Sequence, residues 1–152
     1  MSNGYATRLS LISLAPATLL AVGLSAVVAS AQVHLYKPIP LPIGDQIKDT
    51  LSNKDIPTGQ RGFAKDYVVS LSAGDQVTIS LSSDSFDTSV SLLAADGSPV
   101  GENDDAPDGS TNSLLAVKIT NSGNYIVRVQ AAGQSKTLGP FTLKVTGQQA
   151  KS

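Results

Sequence analysis

From Asp45 onward, apolar side chains recur at every second position in short runs. Tyr67, Val69 and Leu71 share one parity, and so do Val77, Ile79 and Leu81. The same alternation returns at Val90, Leu92 and Ala94, at Leu115, Val117 and Ile119, at Tyr125, Val127 and Val129, and at Phe141, Leu143 and Val145. A period of two marks a strand with one face buried. Ile47 to Leu51 adds a short first strand, and Val100 opens another that runs into an acidic loop. Between the runs lie turn-forming clusters, among them Ser72-Ala73-Gly74-Asp75, Ala95-Asp96-Gly97-Ser98 and Asn121-Ser122-Gly123-Asn124. Gly74 and Gly97 stand where hairpin turns require positive φ. The pattern predicts about eight short strands at roughly 8–15-residue spacing, the mark of an all-β antiparallel sandwich or barrel. Leu92 and Val127 are expected to face inward, and Ser89 and Ser91 to face water. Parallel strands would need long amphipathic crossovers, and the sequence offers none.

The N-terminal third reads differently. Leu9 to Val28 is apolar or small, Arg8 is the one charged side chain before it, and Ala29-Ser30-Ala31 supplies a small-x-small cleavage pattern. These features predict a signal peptide over residues 1–31 with the mature chain starting at Gln32. The apolar run is also long enough for an uncleaved anchor, since about 20 such residues span a bilayer. Residues 32–44 (QVHLYKPIPLPIG) alternate Pro38, Pro40 and Pro42 with apolar side chains, which suits an extended linker and opposes helix. The domain proper is expected over 45–147, with a short tail at 148–152.

Charge and composition narrow the chemistry. The 152 residues carry 11 Lys and Arg against 12 Asp and Glu. Loss of Arg8 with the signal leaves a mature net charge of −2, so no nucleic-acid footprint is present. No cysteine occurs, which excludes disulfides, thiolate metal sites and a catalytic thiol. His34 is the sole histidine and lies in the linker, where it cannot be held as the base of a hydrolytic triad. No G-x-S-x-G, P-loop, H-E-x-x-H or dinucleotide fingerprint appears. The sequence therefore predicts a protein that is not an enzyme.

What remains is a concentration of acid. Between Lys65 and Lys118 there is no Lys or Arg, yet Ser83–Ser113 holds Asp84, Asp87, Asp96, Glu102, Asp104, Asp105 and Asp108. Such residues suit solvated turns. They also suit a hard cation, which takes several oxygen ligands from flexible loops. Asn103, Asp104 and Asp105 are consecutive, and Pro107 and Gly109 permit the sharp turn that would let them converge with Glu102 and Asp108. Asp87 follows Phe86, a ring placed to plug the sandwich end, and can reach the same end. Calcium would fit such oxygens better than magnesium, with its tighter octahedron. The run from Asp104 fails as an EF-hand loop, because Ala106 and Leu115 occupy ligand positions.

Taken in order, L-S-A-G-D-Q-V-T-I-S-L (71–81), F-D-T (86–88), L-L-A-A-D-G (92–97), E-N-D-D (102–105), N-S (112–113) and S-G-N-Y-I-V-R-V (122–129) resemble a bacterial pre-peptidase C-terminal domain. The resemblance spans roughly residues 44–147. It implies a jelly-roll-like β-sandwich, a fold found appended to secreted peptidases and similar to the collagen-binding domains of bacterial collagenases, which bind calcium. In those relatives one ligand is an Asp just before an aromatic strand, so Asp66 before Tyr67 is an alternative ligand here. The dense acidic linker of those relatives has no counterpart in residues 32–55, and no peptidase domain is expected ahead of the module.

The expected protein is thus an exported module, secreted or periplasmic, that binds an extracytoplasmic protein or polysaccharide. It is expected to be monomeric and, once the signal is removed, to touch neither membrane nor nucleic acid. A structural accessory domain that stabilises an exported partner is the alternative.

Overall fold

The computed structural model describes residues 36–59, 62–134 and 136–148. The export segment with its Ala29-Ser30-Ala31 pattern, His34, and the tail beyond Gln148 lie outside the described residues.

Ten strands form two sheets among the described residues. They are β1 (Ile39–Pro40), β2 (Gln46–Leu51), β3 (Ile56–Pro57), β4 (Phe63–Leu71), β5 (Gln76–Ser82), β6 (Thr88–Leu93), β7 (Pro99–Asn103), β8 (Ser113–Lys118), β9 (Gly123–Ala131) and β10 (Gly139–Gln148). The first sheet runs β1-β4-β9-β6-β7 with β3 also on β4, and the second runs β2-β10-β5-β8. From β4 onward every connection except the β6–β7 hairpin passes from one sheet to the other. Consecutive strands therefore face each other across the core, and the sandwich is stitched shut along its length. The all-β sandwich is as the alternation predicts, and eight of the strands are longer than two residues.

The buried parity is the predicted one. Tyr67, Val69, Leu71, Val77, Ile79, Leu81, Val90, Leu92, Val127, Val129, Leu143 and Val145 are all enclosed in one core. Leu92 and Val127 are register partners on β6 and β9. Phe86 lies edge-on to Phe141 at 6.5 Å, and Phe141 lies edge-on to Tyr67 at 6.3 Å, so three rings close one end of the core. The Ala94–Ser98 hairpin closes with Ala94 N–H on Ser98 O at 2.8 Å, and Gly97 takes φ 84° there, as Gly74 takes φ 93° in its own turn.

Three features depart from the expectation. Ser89 and Ser91 do face outward, yet they are 3% and 6% exposed. Their strand is central, and Ser91 lies between Arg128 and Glu102 in register, whose longer side chains shelter it. The Pro-rich segment, expected as linker, is built into the sandwich from Tyr36 to Gly44. Leu41 is buried, its N–H bonds Val68 O at 2.9 Å, and Gly44 N–H bonds Val145 O at 2.8 Å. Its pairing with β4 is parallel, against the antiparallel rule of the rest. Pro38, Pro40 and Pro42 have no N–H to donate, so the strap docks at the sheet edge without itself templating another strand.

Candidate functional site

The acidic loops gather at one end of the sandwich because of which strand ends meet there. The register places Leu81 beside Ser113, Thr88 beside Ala131 and Val90 beside Asn103. The Ser83–Asp87 loop, the 104–112 loop and the short 3-10 turn Ala132–Gln134 therefore share one rim. Polar side chains fasten them. Thr88, fully buried, shares a 2.6 Å hydroxyl contact with Ser113, and Ser113 Oγ donates to Thr88 O at 2.9 Å. This joins β6 of one sheet to β8 of the other. Ser83 Oγ donates to Pro140 O at 2.8 Å and accepts from Ser85 N–H at 3.0 Å, while Asn112 Oδ1 accepts from Ser83 N–H at 3.2 Å. Ala132 N–H donates to Asp87 O at 2.8 Å. The F-D-T and N-S pieces of the sequence pattern thus meet as one clasp.

The proposed cation ligands have separate fates. Asn103 is a staple: its Nδ2 donates to Leu114 O at 2.9 Å and its Oδ1 accepts from Asp105 N–H at 2.7 Å. The backbone of Asp105 ties the loop to β8 by accepting from Leu114 N–H at 3.1 Å. Asp108 accepts from Ser110 Oγ at 2.6 Å and Ser110 N–H at 3.0 Å, bonds that hold its carboxyl below the usual carboxylate range. Ser98 does the same for Asp96, at the opposite end of the strands from the rim. Asp87 borders a shallow depression with Asp84 and Ser110–Asn112. Glu102 and Asp104 instead line a groove of about 210 Å³ with Ser89, Gln130 and Thr58. Among the described residues no three His, Cys, Asp or Glu side chains are grouped so as to hold a metal ion. Asp87 and the pair Glu102 and Asp104 thus border different depressions, whereas calcium gathers six to eight oxygens around one point.

Asp66, the alternative ligand, is committed elsewhere. Arg128 grips it through two nitrogens at 2.8 Å each, Nε on Oδ1 and Nη2 on Oδ2, and the Tyr36 hydroxyl donates to Oδ2 at 2.7 Å. The carboxylate side chain is 1% exposed. Its carboxylate holds the Arg128 ionisation above its ordinary value. Tyr36 as a whole residue is exposed, but its hydroxyl end is tucked against this pair. Burial there, together with the bond to Asp66, pushes its ionisation up to about 12. Asp66, Arg128, Ser91 and Glu102 follow one another across four neighbouring strands of the outer face, so Asp66 stands three strands from Glu102.

A second network links the sheets from within. Tyr67 on β4 donates through its hydroxyl to Asp49 Oδ2 on β2 at 2.7 Å. Lys65 reaches Asp49 at 3.0 Å, Thr50 O at 2.6 Å and Asp55 at 3.5 Å. Burial alone would raise the Asp49 pKa, but the bonds from Tyr67, Thr50 N–H and Lys65 outweigh it and hold the carboxyl below its usual range. Burial, then the Asp49 bond, pushes the Tyr67 hydroxyl well above its ordinary value.

Fold and rim together define a two-sheet β-sandwich module that displays polar loops at one end and holds no described catalytic constellation. Residues 64–131, from β4 through β9, match the family model of the bacterial pre-peptidase C-terminal domain, within the stretch where the sequence resembles one. Among solved structures, the chain is similar to the pre-peptidase C-terminal domain of Bacillus anthracis collagenase. There the TM-score is 0.56 at 10% identity, covering 72% of this chain and 95% of that one. It is also similar in fold to the periplasmic inhibitor of g-type lysozyme, PliG, from Aeromonas hydrophila, with TM-score 0.52, 18% identity and coverage of 74% and 98%. The Salmonella Typhimurium PliG gives TM-score 0.51, 11% identity and coverage of 74% and 100%. No curated protein matches the chain.

Proposed function

We propose that the chain is an exported, non-catalytic binding module that holds an extracytoplasmic protein or polysaccharide with the rim of its sandwich. Pre-peptidase C-terminal domains are non-catalytic accessory modules, which supports the general class. The apolar segment ending in Ala29-Ser30-Ala31 supports a secreted or periplasmic setting. The observation that carries the reading is the rim itself. Asp84, Asp87, Glu102 and Asp104 face solvent there without an ion-pair or hydrogen-bond partner for their carboxylates among the described residues, Glu102 at the end of β7 and the others on loops fastened by buried side-chain bonds. Charges that stabilise nothing within the fold, on loops held in place, are what recognition uses.

The module is proposed to be monomeric and to fold without calcium. Asn103 and Asp108 already satisfy their own loop, and Asp66 is neutralised by Arg128. The test is capture from envelope and culture-fluid extracts by the immobilised protein after mild cross-linking. A protein or glycan enriched over a sandwich control supports the reading, and an empty capture from both fractions refutes it. A stabilising accessory role is the second reading. It draws on the docked strap, because Tyr36, Asp66 and Arg128 fix the direction in which the chain enters the domain.

A further inference from the structure

We propose that the groove between Glu102, Asp104, Ser89 and Gln130 is a subsite for a cationic side chain, an arginine or lysine presented by a protein partner. The proposal rests on the binding-module reading and names the chemistry of one contact within it. Ser89 is 3% exposed, lines this groove, and its hydroxyl has no hydrogen-bond partner among the described residues. Every fully enclosed side-chain nitrogen or oxygen among those residues does have a partner. The small remaining opening of Ser89 therefore exposes its hydroxyl, and its outward parity on β6, opposite Gln130 on β9, directs that hydroxyl into the groove. Buried polar groups are as a rule bonded, so an unbonded one lining a groove marks a position for an incoming polar atom.

The ligand class follows from charge. Glu102 and Asp104 place two carboxylates at the groove mouth, and neither has a described ion-pair partner. Arg128, the base nearest in register, is taken by Asp66. An anion is repelled, and a neutral ligand would leave both carboxylates without a counter-charge among the described residues. For a divalent metal the groove offers only two carboxylates, and no three His, Cys, Asp or Glu side chains are grouped to hold one among the described residues. An ammonium or guanidinium brings one positive charge and three to five N–H donors. It can bond both carboxylates while the Ser89 hydroxyl and the Gln130 carbonyl accept its remaining hydrogens.

The test is an amide NMR titration of the protein at low ionic strength, where exposed charge pairs are least screened. The probes are Nα-acetyl-arginine methylamide and Nα-acetyl-lysine methylamide, with maltotriose and calcium chloride run beside them. The cationic probes are expected to give saturable shifts at Ser89, Glu102, Asp104 and Gln130. Glu102→Gln/Asp104→Asn should weaken binding about tenfold, at about threefold for each exposed ion pair. Asp45→Asn/Asp96→Asn removes the same charge at the opposite end of the sandwich and should change binding less than about twofold by the same reasoning. Silence of the groove amides towards both cationic probes overturns the proposal. So does equal weakening by the two charge variants, or saturation of these amides by maltotriose or calcium instead. A partner captured from extracts while the groove stays silent removes the subsite and leaves the module. Saturable cation binding with an empty capture keeps the subsite and removes the module reading.

Discussion

The acids of this chain divide into two groups that behave in opposite ways. Asp49, Asp55 and Asp66 lie on or beside β2 and β4 and are held by Lys65 and Arg128. Tyrosine hydroxyls from Tyr67 and Tyr36 complete the grip on Asp49 and Asp66. Asp84, Asp87, Glu102 and Asp104 lie at the rim, exposed and without a described partner for their carboxylates. The first group ties strands together and the second leaves its charge to the solvent. Acid density along the sequence is therefore a poor guide to what acids do. A carboxylate's role depends on whether a base lies opposite it in the strand register.

The largest effect that would break this division is at Arg128. Arg128→Met leaves the Asp66 carboxylate enclosed with only the Tyr36 hydroxyl, and should cost about 3–5 kcal/mol in a denaturant melt. Asp66→Leu/Arg128→Met, which removes both charges, should recover most of that loss. Equal losses in the single and double variants would mean that the pair does not act as a unit.

Next in size is the link between sheets. Tyr67→Phe removes the bond to Asp49 while keeping the ring against Phe141, and should cost about 1.5–3 kcal/mol, the range for a hydrogen bond to a charged group. A change below about 0.5 kcal/mol, the scale of an ordinary surface substitution, would show that the bond is not made in solution.

The strap gives a smaller, pH-dependent effect. The Tyr36 ionisation is raised from 10.0 to about 12 in the folded chain. Its contribution is therefore complete below pH 10 and lost as pH rises towards 12. Ultraviolet titration should show a phenol step near pH 12, ahead of the still later ionisation of Tyr67, and Tyr36→Phe should remove that step. A Tyr36→Phe titration superimposable on that of the parent protein would argue against the latch.

The smallest effects belong to the rim. Glu102→Gln/Asp104→Asn should leave stability within about ±0.5 kcal/mol. Millimolar calcium should leave the melting temperature where EDTA leaves it. A calcium-dependent rise that Asp104→Asn/Asp105→Asn abolishes would make the loop a cation site after all. A ligand bound only by the folded state stabilises it by about 2.7 kcal/mol at a hundredfold excess over Kd, so such a rise would be plain in a melt.

Much of the fold was legible because alternation reports burial directly. The parity of Tyr67, Val90, Leu92 and Val127 follows from it, and so does the plug formed by Phe86. The placement of Asp87 and Asp104 at one end was legible from the strand boundaries alone. What escaped depends on long-range register. Asp66 and Arg128 are 62 residues apart, and only the pairing of β4 with β9 makes them neighbours. Tyr67 and Asp49 meet across the core, which no local pattern encodes. Ser91 read as solvent-facing because parity gives the face and not the height of neighbouring side chains. The one available signal for Arg128 was its outward parity among apolar positions on a strand with no local acid.

The rim is proposed to serve recognition, while the β2 and β4 acids are held by Lys65 and Arg128 within the fold. Capture from envelope and culture-fluid extracts by Glu102→Gln/Asp104→Asn is the most direct test of that division. The variant is expected to melt like the parent protein and to lose most of whatever the parent captures. Undiminished capture by a variant folded to the same stability would contradict it.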